Sequence, residues 1–391
     1  MELARIQEAL RERGIDGWLL CDFRNRDYLA YRVLGLDFEK LSSRRWYYYV
    51  PARGNPKKLV SAVEEHRLDA LPGDARVYLS WKELHAGLKR LLGAKKRVAM
   101  QYSPLNNVPY VAMVDAGTVE LVKRLGHKLV SSADLVQIFV ALIDEAGYRT
   151  HKEAAAAMDR IRAEAFARIG EAIRTGNGAT EYDIQQYIMR RFGEEGLVTD
   201  SPPMVGTNEH PADPHFDLTS ANARPFADGD TVLIDLWAKR SVPGAIYYDI
   251  TWCGYIGTPP PRYVEMFDVV RRGRDAAIEF VADRFAAGET CYGWEVDDAC
   301  RSVVKKAGYG KFFRHRTGHS IGEETHGNGV NIDNLETKDE RALMPGCCFS
   351  IEPGIYLPGE MGVRTEVDMF IRGDGAPEVT GEVQHELVKI A

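Results

Sequence analysis

The chain has 391 residues, of which 45% are hydrophobic and 27% charged, and this size and composition fit a globular protein of two domains. No apolar run reaches the length of a membrane span, and the charged, amphipathic N-terminus is unlike a secretion signal. The net charge of −7 argues against a nucleic-acid partner, because phosphate binding needs a basic face. The six cysteines lack paired spacings, so we expect reduced thiols, a cytoplasmic location and no membrane association.

The first part of the chain alternates short strands with short helices. Runs such as "GWLLCDF", "RRWYYYVP" and "RVAMQYS" are rich in β-forming residues and are bounded by Gly, Pro or charged side chains. The stretch "WKELHAGLKRLL" has the periodicity of an amphipathic helix. This alternation predicts a small α/β domain, which we place at residues 1–147.

The second part, residues 148–391, has a different character. A long Ala-rich helix is predicted from His151 to a closing Gly176, and a second helix opens with a capping pattern at Thr180. After residue 230 the chain becomes rich in strands: "TVLIDLW", "AIYYDITWCGYI", "CCFSIEPGIYL" and "GVRTEVDMFIR". Two helices, at 261–285 and 293–307, interrupt these strands.

Four carboxylates stand where these strands should be apolar. Asp235 lies inside "TVLIDLW" and Asp249 inside "AIYYDITW", and the Pro-Gly pair between them allows a hairpin that brings both together. Glu352 follows "FSI", and Glu366 lies within "VRTEVDMF". A single acid of this kind usually pairs with Arg, Lys or backbone donors. Four together would repel one another unless a cation neutralised them, so the group favours a two-metal site.

Three of the ten histidines fall within the stretch "FFRHRTGHSIGEETHG". The glycines around His315 and His319 favour a loop or bent strand over a helix. On a straight strand His319 and His326 would face opposite ways, so they share a site only if the chain bends, for which Gly322 is suited. A lone histidine is more often structural, whereas three in this setting favour a functional site.

These motifs resemble the pita-bread metallopeptidases, the family of prolidase, aminopeptidase P and methionine aminopeptidase. The resemblance covers about residues 150–390, and "IEPGIYLPGEMGVRTE" is its most specific part. It implies an α+β fold, with a C-terminal pita-bread (creatinase/aminopeptidase) domain after a smaller α/β domain. It also implies five metal ligands in the family's order, which here are Asp235, Asp249, His319, Glu352 and Glu366.

The resemblance extends to residues beside the ligands. His315 and His326 match histidines that flank the ligand histidine, and both are expected on the substrate side. His215, in "ADPHFD", matches a substrate-facing histidine, with His210 as a competing choice. Arg364 matches an arginine that either holds a substrate carboxylate or only pairs with an acid.

The chain also departs from the family pattern. Trp237 stands where the family has the Gly of Asp-x-Gly, and Asp235 and Asp249 are fourteen positions apart, further than is usual. Ile246 replaces a tyrosine, and Trp252 replaces an arginine. Since no ligand is lost, these changes bear on substrate preference more than on metal binding.

The resemblance implies an exopeptidase with two divalent ions, Mn²⁺, Co²⁺ or Zn²⁺, that hydrolyses the bond before proline in a small peptide. A hydroxide bridging the metals would attack. Glu352 would shuttle the proton to the leaving nitrogen, and His215 or His326 would stabilise the oxyanion. Asp249 and Glu366 are expected to bridge both ions. A homodimer is expected from the family.

Several activities remain open at this point. An Xaa-Pro dipeptidase (prolidase) fits the two-domain length, while an Xaa-Pro aminopeptidase (aminopeptidase P) acting on longer peptides has the same site. A creatinase-like hydrolase works without metals, and a catalytically silent pita-bread binding module would lack a ligand. The complete ligand set favours the metal-dependent enzyme over these last two.

Overall fold

The computed structural model describes residues 1–390, and the chain divides into two compact units, Met1–Val140 and Ala141–Ala391. Within residues 1–390, no helix is both long and apolar enough to cross a membrane. All six cysteines are buried free thiols.

The first unit is an α/β domain around one mixed sheet of six strands in the order β4-β3-β2-β1-β5-β6. Its helices and strands are α1 Leu3–Glu12, β1 Gly17–Asp22, α2 Tyr28–Leu34, β2 Trp46–Pro51, β3 Lys57–Ser61, β4 Asp74–Tyr78, α3 Trp81–Leu92, β5 Arg97–Met100, α4 Ala116–Arg124, β6 Lys128–Ser131 and α5 Ala133–Val136.

Both faces of the central strands of this sheet are buried. Trp18 and Leu20 of β1 join the core under α1 and α2, while Leu19 and Cys21 point the other way and pack with α3 and α4. Successive side chains of a strand alternate between faces, which explains why β1 is apolar from Trp18 to Cys21. The predicted strands and the helix "WKELHAGLKRLL" are confirmed.

The second unit combines four long helices with three small sheets. Its elements are α6 Glu145–Thr175, α7 Glu181–Glu194, β7 Leu197–Val198, β8 Met204–Thr207, β9 Thr231–Arg240, β10 Tyr248–Ile256, α8 Pro261–Ala286, α9 Gly293–Lys306, β11 Cys348–Ile351, β12 Gly354–Leu357, β13 Met361–Arg364, β14 Val367–Ile371, β15 Pro377–Val379 and β16 Val388–Ile390. The sheets have the orders β16-β10-β9-β7 (with β8 also on β9), β11-β14-β15 and β12-β13.

The long helix α6 begins earlier than the sequence indicated. Its N-cap is Asp144, whose Oδ1 accepts from the backbone N–H of Gly147 at 2.8 Å, so the predicted start at His151 is six positions late. Glycine disfavours helix interiors, and Gly147 is the last residue of the predicted first domain. Here it lies inside the first turn, where an added Cβ would come within 2.8 Å of Ile143. The closing Gly176 is confirmed, with a left-handed φ of 63°.

Two apolar cores in this unit leave a polar layer between them. Ile234 and Leu236 of β9 pack against α6 and α7. A second core joins α8 and α9 to strands β11–β14. The alternate side chains of β9 and β10 therefore face away from α6, toward β13 and β14.

Candidate metal centre and active site

Asp235 and Asp249 lie on the predicted hairpin. Strands β9 and β10 pair antiparallel, with Thr251 opposite Asp235 and Asp249 opposite Trp237. Residues directly opposite in such a pair project from the same face. Both carboxylates therefore point into the polar layer.

Glu352 and Glu366 lie at interruptions between strands, not inside them. The sequence predicted two continuous strands, but β11 ends before Glu352 and β13 ends before Thr365. The backbone N–H of Glu352 donates to Thr317 O at 2.7 Å, and that of Glu366 donates to Thr251 O at 3.0 Å. Each glutamate is thus anchored where the chain passes from one sheet to the next.

His319 lies on an extended segment that runs beside β11. Its N–H donates to Ser350 Oγ at 3.0 Å, and its carbonyl accepts from Ser350 N at 2.9 Å. An added Cβ on Gly318 would come within 1.9 Å of Ser350 O, so only glycine permits this approach. The chain then turns at Gly322, whose N–H donates to Glu324 O at 3.1 Å, and returns His326 to the side of His319. The expected bend is confirmed.

The structure brings four of the five predicted ligands into direct proximity. Ligand atoms of Asp249, His319 and Glu366 all lie within 4.8 Å of one another. His319 Nε2 is 3.6 Å from Asp249 Oδ2 and 3.5 Å from Glu352 Oε1. The fifth, Asp235, joins the group through Thr251, whose hydroxyl lies 3.0 Å from Asp235 Oδ1 and 2.7 Å from Glu366 Oε2.

The electrostatics of this cluster suit a cation. Burial, strengthened by the charge of Glu366, raises the pKa of Asp249 well above its ordinary range. Burial also raises the pKa of Glu366, with the Glu352 charge adding to the rise. The pKa of Glu352 is raised to about 7 by burial, which the Arg364 charge opposes and the Asp235 charge reinforces.

Two further observations fit a divalent metal. Asp249 Oδ1 is buried and has no hydrogen-bond partner, which is costly for a carboxylate. Burial, with the nearby His326 ring, lowers the pKa of His319 well below its ordinary value, so its imidazole is neutral and can act as a ligand. Oxygen-rich donors with one imidazole suit Mn²⁺, Co²⁺ or Zn²⁺.

Arg364 is buried and points into the cluster. Its guanidinium pairs with Asp235 through Nη2, and its Nε donates to Thr251 Oγ1 at 3.0 Å. Nη1 donates to the Tyr356 hydroxyl at 3.2 Å. The sequence left two roles open for Arg364, holding a substrate carboxylate or pairing with an acid. In the structure it pairs with an acid, Asp235.

His315 lies one layer behind Arg364. Its Nε2 is 2.7 Å from the Tyr356 hydroxyl, and its Nδ1 is 2.7 Å from Arg316 O. Burial lowers the pKa of His315 to about 3, and the charge of Arg364 contributes. His315 thus reaches the cluster through Tyr356 and Arg364.

His326 and His215 lie on the open side of the cluster. The rings of His326 and His319 are edge to face, with centroids 4.4 Å apart. Both histidines reach the solvent. Neighbouring residues still shield part of the His326 ring, and this shielding lowers its pKa, with Arg316 and the nearby His215 contributing. Exposed imidazoles beside the cluster are placed to meet a bound molecule.

His210, the competing histidine, has a different environment. It is buried, its Nδ1 lies 2.9 Å from Glu181 Oε1, and its ring stacks on Phe216 at 4.0 Å. Glu181 also accepts from the backbone N–H groups of Thr207 at 2.7 Å and Arg224 at 2.9 Å. This network ties α7 to the chain that follows β8.

Sequence reasoning missed two polar residues of the site. Thr251 links Asp235, Glu366 and Arg364 through one hydroxyl. Asp368 is fully buried, and its Oδ2 accepts from the backbone N–H of Asp249 at 2.8 Å. Its signal in the sequence was a second carboxylate in "VRTEVDMF", two positions after Glu366, where the predicted continuous strand would put both on one face.

The chain is similar to known metallopeptidases and dipeptidases. The model of metallopeptidase family M24 matches residues 149–373. The probable dipeptidase PepE of Mycobacterium tuberculosis is 31% identical over 270 residues, a match that spans 69% of this chain and 66% of that relative. The Xaa-Pro dipeptidase of Lactobacillus helveticus is 33% identical over 209 residues, spanning 52% of this chain and 51% of that one.

A solved structure extends the likeness to the first unit. The crystal structure of dipeptidase PepE from Mycobacterium ulcerans matches with a TM-score of 0.67 and 25% identity, covering 100% of this chain and 97% of that one. The predicted fold class, an α+β chain with a C-terminal pita-bread domain and a smaller α/β domain, is confirmed.

Proposed function

The chain belongs to metallopeptidase family M24, and on this premise we propose that it is a metal-dependent Xaa-Pro dipeptidase that hydrolyses the bond before proline. The similar Lactobacillus helveticus protein bears that name, and the Mycobacterium relatives are named dipeptidases. One observation carries the proposal: Asp249, His319 and Glu366 converge within 4.8 Å, with Glu352 beside His319.

We assign the five converging side chains, those of Asp235, Asp249, His319, Glu352 and Glu366, as the residues that would hold two divalent ions. These ions would polarise the scissile carbonyl and lower the pKa of the attacking water. Asp249 Oδ1, which is buried without a partner, supports its place among the ligands. Four carboxylates and one neutral imidazole also match the donors that such ions prefer.

Glu352 is the proton shuttle in this proposal. It is largely buried, and in the metal-free site burial raises its pKa to about 7. A carboxylate beside the attacking water can accept its proton and donate it again. Ser350 Oγ, 3.3 Å from Glu352 Oε1, holds the carboxyl in place. The carboxylate accepts a proton from the attacking water, and the acid then donates it to the proline nitrogen, which can leave once protonated.

The surrounding side chains bind and orient. His215 and His326 lie on the open side, where a protonated ring nitrogen can donate to the carbonyl oxygen as it gains charge. Arg364 positions Asp235 through its ion pair, and His315 supports Arg364 through Tyr356. We place His315 and Arg364 behind the ligands for this reason.

Three finer features belong to the proposal. We propose Mn²⁺ as the working metal, since hard carboxylate oxygens dominate the donor set. The six free cysteines support a reducing, cytoplasmic environment. We also propose a homodimer, on the basis of the family resemblance alone.

An Xaa-Pro aminopeptidase is the second candidate, because the same ligands and the same shuttle serve longer peptides. A direct test is hydrolysis of Ala-Pro against Ala-Pro-Ala by metal-stripped protein, with Mn²⁺, Co²⁺ or Zn²⁺ restored in turn. Metal-dependent cleavage of Ala-Pro in preference to the tripeptide supports the dipeptidase. Preference for Ala-Pro-Ala makes the protein an aminopeptidase, and cleavage of neither refutes both assignments and leaves the silent binding module.

A further inference from the structure

Three hydrogen-bonded side chains, those of Trp237, Asp200 and Thr325, lie beside the candidate metal centre, and we call them the wall. The indole Nε1 of Trp237 donates to Asp200 Oδ1 at 2.7 Å, and the hydroxyl of Thr325 donates to Asp200 Oδ2 at 3.0 Å. Thr325 directly precedes His326, whose ring contacts that of His319. The carboxylate of Asp200 is therefore fixed in place at the open side of the site.

Trp237 forms the inner part of this wall. It lies directly opposite Asp249 across the β9–β10 pair, so both side chains project from the same face about 5 Å apart at their Cβ atoms. The related family pattern has glycine at this position, which would leave the space beside Asp249 open. The indole, which is partly buried beside Ile246 and Tyr247, fills that space.

Asp200 supplies an uncompensated negative charge at the outer part of the wall. It is exposed, and the three side chains that donate to it, those of Trp237, Thr325 and Ser201, are all neutral. Its charge lies at the edge of the site, because Thr325, which holds Oδ2 at 3.0 Å, directly precedes His326, and the His326 ring is centred 4.4 Å from that of His319. A cationic group of a bound molecule would be attracted to this edge.

We propose that Asp200 and Trp237 form the subsite for the N-terminal residue of the substrate, an assignment that rests on the proposed peptidase function. A dipeptide carries an ammonium on its first residue and a carboxylate on proline. Asp200 attracts the first and repels the second, so the wall belongs to the N-terminal side of the scissile bond. The carboxylate orients the ammonium, and the indole limits the size of the first side chain.

The chain then has a defined substrate class: free-amine dipeptides with a small first residue. The small first side chains of Gly-Pro and Ala-Pro fit beside the Trp237 indole. The larger first side chains of Leu-Pro and Phe-Pro clash with it. A blocked amine, as in N-acetyl-Ala-Pro, offers no charge to Asp200.

The test compares kcat and KM of metal-loaded variants on Gly-Pro, Ala-Pro, Leu-Pro, Phe-Pro and N-acetyl-Ala-Pro. Asp200→Asn should raise KM for Ala-Pro about 10-fold and leave the rate for N-acetyl-Ala-Pro unchanged. Trp237→Gly should raise kcat/KM for Phe-Pro relative to Ala-Pro about 10-fold or more. Trp237→Phe keeps most of the bulk but loses the N–H, so it should retain the preference for small residues and raise KM for Ala-Pro.

The matched control is Asp283→Asn, since Asp283 is exposed on α8 and contributes nothing to the wall. Metal content and melting temperature of each variant show whether the fold and the ligands are intact. If wild type cleaves these dipeptides and both Asp200→Asn and Trp237→Phe keep the wild-type profile, the subsite is refuted while the proposed function stands. If wild type cleaves none of these dipeptides, the proposed peptidase function is refuted, and the proposed subsite is refuted with it.

Discussion

Thr251 and Asp235 lie directly opposite each other on neighbouring strands, and the Thr251 hydroxyl is 3.0 Å from Asp235 Oδ1. The same hydroxyl is 2.7 Å from Glu366 Oε2 and accepts from Arg364 Nε at 3.0 Å. One hydroxyl hydrogen can serve only one carboxylate at a time, and the shorter contact is to Glu366. Thr251 therefore fixes the spacing of two candidate ligands without being one.

Replacing Thr251 by Val should weaken metal binding about 10–100-fold, because the two carboxylates lose their shared support. Replacing it by Ser keeps the hydroxyl and should preserve binding. The measurement is metal content after dialysis against a graded series of chelator concentrations. Equal retention by the Val variant and wild type would show that Arg364 alone orients Asp235.

His319 and His326 should respond differently to replacement by Ala. His319 Nε2 faces Asp249 and Glu352 within 3.6 Å, so its loss should lower metal content together with rate. His326 is exposed beside it, so its loss should lower the rate while bound metal stays at the wild-type level. Metal analysis and kinetics on the same preparations decide the question, and metal loss in the His326 variant would refute this division of roles.

His210 and His215 should separate stability from activity. His210→Gln leaves the buried Glu181 carboxylate with one partner fewer, which should cost about 1–3 kcal/mol of unfolding free energy and little rate. His215→Gln should lower kcat and leave the melting temperature unchanged, because His215 is exposed. Denaturant unfolding and kinetics of the two variants are compared directly. A rate loss confined to the His210 variant would reverse the assignment.

The metal-free protein should reveal the raised pKa of Glu352 through its stability. The pKa rises from 4.5 to about 7 on folding, so the folded chain holds a proton that the unfolded chain releases as the pH increases. This group therefore destabilises the fold progressively from about pH 4.5 to pH 7, and fully above that. Glu352→Gln should accordingly gain melting temperature over wild type as the pH rises from 5 to 8.

The comparison between variants is needed because buried histidines act in the opposite sense. Burial lowers the pKa of His151 to about 4, so its contribution to stability is present at neutral pH and is lost as the pH falls below 6.5. This term is common to wild type and Glu352→Gln and cancels in their difference. Saturating Mn²⁺ should raise the wild-type melting temperature most at pH 8. A constant difference between the metal-free proteins from pH 5 to 8 would contradict the raised pKa.

Much of this site was predictable from local patterns. Asp235 and Asp249 stood out because alternation on a strand makes a carboxylate among apolar neighbours conspicuous, and the Pro-Gly turn made a hairpin plausible. The bend after His319 followed from Gly322, because glycine is suited to sharp turns.

Other features depend on distant contacts that no local pattern reveals. The strand breaks at Glu352 and Glu366 arise because their backbones bond to Thr317 and Thr251, each far along the chain. The start of α6 at Glu145 was missed because Asp144 caps a turn that contains glycine. The hydrogen bond between Trp237 and Asp200 joins residues 37 positions apart. The sequence therefore showed that tryptophan replaces the family's glycine at position 237, but it did not show which residue the indole contacts.

The central claim is that these converging residues hold two metal ions on which hydrolysis depends. The most direct test is titration of the metal-stripped protein with Mn²⁺, following bound metal and Ala-Pro hydrolysis together, with His319→Ala alongside. The account predicts no hydrolysis without metal, full rate as bound Mn²⁺ approaches two per chain, and weaker metal binding together with a lower rate in the variant. Full hydrolysis by the metal-free protein, or an unchanged titration of His319→Ala, would contradict it.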